Sequence, residues 1–121
     1  MVNKVESEKI NLIKVLQMLS SPEIQRDYHN TVPIASVPDE LIGQWFDDFF
    51  FPENKEFKGL FSEQEWGVLL EFHSFFKSKL DLLSRGFEEM EEDEAWQAIT
   101  AKATWALKRL GWNDLEVSYD E

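Results

Sequence analysis

Ser62-Glu63-Gln64-Glu65 is a helix start written in four residues, a serine hydroxyl placed to accept from the backbone three residues on and a glutamate placed to answer it. Behind it Trp66, Leu69, Leu70, His73, Phe76, Leu80 and Leu83 recur at three- and four-residue spacing, with Phe72 at the edge. One face of a helix from about 63 to 84 is therefore apolar, and Gly86 stands where a C-terminal cap would be needed. A chain that commits its strongest pattern to the helical period has to bury that stripe against other helices.

The remaining segments supply them. Val5, Leu12, Leu16 and Leu19, flanked by Ile13 and Val15, predict a helix from about 4 to 19. Ser20 and Glu23 have capping-box spacing around Pro22, which predicts a restart through about Asn30. The TVPIASVP stretch reads as an extended connector, and Pro38-Asp39-Glu40 opens a helix to about Phe51, stopped by Pro52. After a short turn at 87–91, Asp93 caps a last helix through Leu110. Its buried face is Trp96, Ile99, Ala103, Ala106, Leu107 and Leu110, with Gly111 as left-handed terminator and Trp112 folding back. The tail alternates Leu115, Val117 and Tyr119, as an extended segment lying on the body would. The expected fold is all-α: a single-domain helical bundle over 1–121, with four main helices plus one or two short ones.

Composition agrees that this chain folds. Apolar residues make up 43%, with five Trp and ten Phe, against the aromatic-poor composition of disordered acidic segments. The absence of cysteine excludes thiolate chemistry, Cys-ligated metals and disulfides. Glu6 and Glu8 occupy the place where a secretory signal needs its apolar run, and no apolar stretch approaches the roughly 20 residues that span a bilayer. The expectation is a cytoplasmic protein with no membrane partner.

The formal charge of −12 has a location. Residues 1–20 carry +1, 21–50 carry −5, 51–86 carry −1 and 87–121 carry −7. A surface of that sign repels phosphate backbones, so direct nucleic-acid binding is not expected. No HExxH, di-iron Glu-x-x-His, P-loop, GxGxxG, GxSxG or EF-hand pattern occurs. The two histidines each have a carboxylate two residues away, Asp27 with His29 and Glu71 with His73, a spacing that points the pair to nearly opposite sides of a helix. His73, inside the apolar stripe, reads as a hydrogen-bonded core residue and His29 as surface. No enzyme, cofactor or metal is expected. An enzyme would require His73, Glu71, Tyr28 and His29 to meet in three dimensions.

Three features stand out as partner-binding candidates. In the 41–51 segment the apolar residues cover about half of a helix circumference, more than one core contact needs. Either that helix is central, or its Phe46, Phe50 and Phe51 edge faces a partner beside Glu40, Asp47 and Asp48. The run from Glu88 to Glu94 reads as a solvated helix start, as a weak cation site in which Glu88, Glu91 and Glu92 share a face, or as a landing strip for a basic partner. Trp105 lies opposite Trp96 on the last helix, either under a second layer of the fold or exposed as an anchor.

In size, acidity and lack of cysteine the chain is similar in character to bacterial immunity proteins and antitoxins. That likeness implies an inhibitor that neutralises a basic protein partner, a toxin or a nuclease, by electrostatic steering and aromatic anchoring. The alternative is an adaptor or regulatory helical module that binds a peptide or a larger assembly through the same aromatic and acidic surface.

Overall fold

Ser62 caps its helix as its sequence requires, accepting from the Glu65 amide at 3.0 Å while the Glu65 carboxylate accepts from the Ser62 amide at 2.9 Å. The computed structural model describes residues 4–34 and 36–113, with side chains from Ser7 onward. The Val5 side chain and the alternating tail lie outside the described residues. In chain order the helices are α1 (Lys4–Ser20), α2 (Pro22–Thr31), α3 (Val37–Gly43), α4 (Lys55–Lys58), α5 (Glu63–Lys79), α6 (Phe87–Glu92) and α7 (Glu94–Leu110). A π-helical turn over Gln44–Phe49 continues α3, and a 3-10 turn over Leu80–Leu82 follows α5. No strand occurs among the described residues, and the fold is all-α.

The helix α7 is the centre, packed between α1 and α5, with α6 also against it. Its inner face is the expected one: Trp96, Ile99, Ala103, Ala106 and Leu107 are buried, with Leu110 partly so. Alanines at 103 and 106 let the neighbouring helices approach closely. Asp93 caps its start, and Gly111 ends it at φ 75°, a region nearly closed to other residues. The Trp112 amide then donates to Leu107 O at 2.9 Å and its ring folds under, only 6% exposed. Gln17 of α1 donates to Trp112 O, which fastens this end to the bundle.

Between α1 and α2 the cap is Ser21 rather than Ser20: Ser21 Oγ accepts from Ile24 N at 3.2 Å, while Ser20 Oγ donates back to Gln17 O. The buried Gln25 donates to Met18 O and Leu19 O, satisfying carbonyls that the end of α1 leaves open. The connector after α2 is short, because Ser36 already caps α3 and Val37 and Pro38 form its first turn.

The α5 helix ends earlier than its stripe implies, at Lys79. Leu83 stays buried by running extended. Gly86 does not terminate α5; it has φ −96° and precedes α6. The cause is the pull of α7 on Ser84, whose amide donates to Asp93 Oδ2 and whose carbonyl accepts from Trp96 Nε1, each at 2.8 Å.

The core is a train of aromatic rings in contact. It runs from Trp112 to Phe61 and Trp66, through Phe50 to Trp45, then Phe72, Phe76 and Trp96, with neighbouring centroids 4.7–6.2 Å apart. The short helix α4, which lies between two expected helices, lays Phe57 under Phe50 and Trp66. Asn54, accepting from Phe57 N at 3.0 Å, starts it.

Candidate functional site

The segment after α3 is shaped by two aromatic residues that both enter the core. In a continuous α-helix Trp45 and Phe50 would point about 140° apart. The π turn, closed by Phe50 N donating to Trp45 O at 3.2 Å, brings residues five apart onto one side. Their rings stack at 4.7 Å, and they are 0% and 1% exposed. Phe50 is therefore a core residue and not the surface anchor expected from a simple helical wheel. Phe51, one residue on in extended backbone, is 36% exposed and touches Phe57 edge-on at 5.5 Å.

Around this turn a shallow, open depression of about 460 Å³ is lined by Phe46, Phe50, Phe51, Pro52, Glu53 and Asn54. Phe46 is half-buried against Phe76 and His73, at 4.9 and 5.4 Å. Asp47 and Asp48, on the same turn, are exposed, as is Glu53. Of the expected edge and rim, Phe51, Asp47 and Asp48 are exposed and Phe46 is half-buried, and the acid lining the depression is Glu53. Pro52, Glu53 and Asn54 were not anticipated there, although Asn54 before Phe57, Leu60 and Phe61 is a cap followed by helical spacing.

The other candidates lie elsewhere. Glu40 is exposed on α3 and belongs with α2: burial first, and the Glu40 charge second, push the Tyr28 phenol above its ordinary pKa. Glu88, Glu91 and Glu92 are exposed on α6. Glu91 accepts from Arg26 Nε at 3.2 Å, and Asp93 is committed to capping α7. Among the described residues no group of three or more His, Cys, Asp or Glu side chains could hold a metal ion, so the acidic run forms no cation cage. The loop entering α6 is tied to the start of α3, with Arg85 O accepting from Ser36 Oγ and Arg85 Nη1 donating to Asp39 Oδ1, each at 2.9 Å. The α6 carboxylates therefore lie toward the start of α3, and Asp47 and Asp48 on the π turn that follows it.

Trp105 is not a lone exposed anchor. It is partly buried, and Lys102 Nζ sits 3.8 Å from its ring centroid. Lys102 also pairs with Glu71 of α5 at 2.6 Å and lies 5.7 Å from the Phe75 ring.

The histidines sit apart. His73 Nδ1 accepts from Trp45 Nε1 at 3.1 Å, the hydrogen bond expected of it, although the ring is half-buried rather than enclosed in the core. Burial first, then the charge of Lys77, lower its pKa below 6.5. His29 is half-buried rather than simply on the surface, stacked on Phe87 at 4.2 Å with its Nδ1 enclosed and without a hydrogen bond. Glu71 faces Lys102 while His73 faces Trp45, so the constellation of His73, Glu71, Tyr28 and His29 is not assembled.

No described helix is long and apolar enough to cross a membrane. In comparisons with known proteins, no family model matches the chain, and no curated protein or solved structure does either.

Proposed function

We propose that this is a cytoplasmic, non-enzymatic binding protein, an immunity- or antitoxin-type inhibitor that neutralises a basic protein partner. The observation that carries the reading is the depression at the end of the π turn, where Phe46 and Phe51 lie with Glu53 while Asp47 and Asp48 are exposed on the turn itself. Aromatic side chains with a flat exposed edge supply contact area at low entropic cost, and an acidic rim raises the encounter rate with a cationic surface. A net charge of −12 extends that attraction over the whole molecule. The α6 carboxylates form a second, separate contribution of the same sign.

The test is kinetic. A partner captured from the native host is purified and its association rate measured from about 50 mM to about 500 mM salt, a range over which the screening length contracts severalfold. The expected result is a steep fall in association rate, abolished in large part by the pair Asp47→Lys and Asp48→Lys, with loss of inhibition of the partner. A rate indifferent to salt, or to those substitutions, refutes the inhibitor reading. The adaptor reading places a peptide or a larger assembly on the same aromatic and acidic surface, and it requires binding that survives high salt.

A further inference from the structure

The hydrogen bond between Trp45 and His73 joins α5 to the turn that builds the candidate surface. An indole N–H only donates, so the 3.1 Å contact requires a bare lone pair on His73 Nδ1 and places the ring hydrogen on Nε2. The rings packed on His73 come from the turn and the residue that closes it: Phe50 at 5.0 Å, Phe46 at 5.4 Å and Trp45 at 6.5 Å between centroids. These neighbours carry no charge. Lys77, one helical turn along α5, opposes a second positive charge, and Asp47 and Asp48 of the facing turn are exposed and make no ion pair with His73 among the described residues.

Protonation at Nδ1 sets two N–H donors against each other across that contact and leaves a cation half-buried against aromatic rings with no carboxylate partner. Trp45 is 0% exposed and has nowhere to turn without opening the π turn, because Phe50 is stacked on it. We propose that protonation of His73 breaks its bond with Trp45 and loosens the Gln44–Phe49 turn, so that the Phe46 and Phe51 surface is formed at neutral pH and lost in acid. The conformational part stands on the geometry alone; its consequence for binding rests on the function proposed above.

The native pKa of His73, held below 6.5, supports this direction. Each unit of that depression shifts the equilibrium between the closed and open turn by up to about tenfold toward the open form once His73 is protonated.

The experiment follows the Trp45 indole N–H, the His73 ring carbons and the Phe46 ring by NMR from about pH 7.5 to about pH 5, above the range of ordinary carboxylates. The expected result is one midpoint below 6.5 shared by all three groups, and no transition in His73→Gln, whose amide oxygen keeps an acceptor for Trp45 and does not titrate. A His73 midpoint at or above 6.5 would mean that the surrounding rings hold the cation, and it overturns the proposal. So does a Trp45 resonance that stays fixed while His73 titrates, a result that needs no variant to fold. Affinity for poly-L-arginine is measured over the same range. Loss of affinity with the shared midpoint supports the switch acting on the surface, whereas unchanged affinity through an observed conformational transition overturns the surface assignment and leaves the switch standing.

Discussion

Two adjacent phenylalanines give the sharpest check on how the α3 segment is built. Phe50→Ala removes a ring that is 1% exposed and contacts Trp45, Phe57, Trp66 and His73 at centroid distances of 4.7–5.8 Å. Those neighbours belong to different elements and cannot all close on the vacated space, so the cost should sit in the usual range for a buried Phe, about 3–5 kcal/mol. Against a total stability of roughly 5–15 kcal/mol for a small domain, that leaves a marginal fold. Phe51→Ala removes a ring 36% exposed with one edge-on partner, Phe57, and should cost about 1 kcal/mol. Urea unfolding reads the difference directly, with a midpoint lower by roughly 2 M for Phe50→Ala and by well under 1 M for Phe51→Ala. Thermal midpoints should fall by on the order of 15 °C and 4 °C respectively. Equal costs, or a larger cost at Phe51, would refute the π turn, because a continuous α-helix turns Phe50 away from Trp45.

Asp93→Ala should cost about 2 kcal/mol at neutral pH, since the Ser84 and Ala95 amides both lose their acceptor, and Asp93→Asn should cost less. Burial alone would raise the pKa of Asp93, but hydrogen bonds from Ser84, Ala95 and Trp96 outweigh it and hold it below 3.8. This stabilisation is therefore complete above 3.8 and lost as pH falls through the lower native value; the gap between wild type and Asp93→Asn in urea unfolding should close in strong acid and stay constant above about pH 5. Gly111→Ala should cost about 1 kcal/mol in the same assay: a Cβ there meets nothing within 4 Å, so the whole penalty is the left-handed backbone at φ 75°.

What the sequence discloses about this fold is whatever one helix decides by itself. Ser62 with Glu65, Asp93, Gly111 and the buried face of α7 are local: cap, stripe and terminator lie within a few turns, and each is found where its residues predict. Ser20 has capping-box spacing to Glu23, but Pro22 occupies the first helical position of α2, so Ser21 before it becomes the cap. Gly86 failed as a terminator because Asp93 and Trp96, nine to twelve residues from Ser84, hold the chain before it reaches that glycine. The α4 helix is four residues long, so its local signal is no more than the Asn54 cap ahead of Phe57, Leu60 and Phe61.

The site was harder to read for the same physical reason. A helical wheel assumes one angular step per residue, and the Gln44–Phe49 turn changes the step where the candidate surface begins. The identity of the segment was legible in its excess of aromatic residues, but the division of labour between Phe50 and Phe51 depends on Trp45 already being held by His73. Lys102 stands three residues before Trp105 on the same helix, so their contact is legible in the spacing, but the pairing of Lys102 with Glu71 of another helix is not.

The same tertiary arrangement constrains the partner. The exposed acidic residues lie toward the two ends of the α3 unit, with Glu88, Glu91 and Glu92 on α6, whose entering loop is tied to Ser36 and Asp39, and Asp47 and Asp48 on the π turn. A peptide lying on the Phe46 and Phe51 depression meets Glu53 in its lining, whereas Glu88 and Glu92 belong to α6. A folded partner burying about 800 Å² on its side covers a disc roughly 30 Å across. An inhibitor that must cover a cationic cleft uses the whole acidic face, whereas a peptide-binding adaptor leaves the α6 carboxylates idle. Under the proposed inhibitor reading, the partner's basic surface would reach both the π turn and α6.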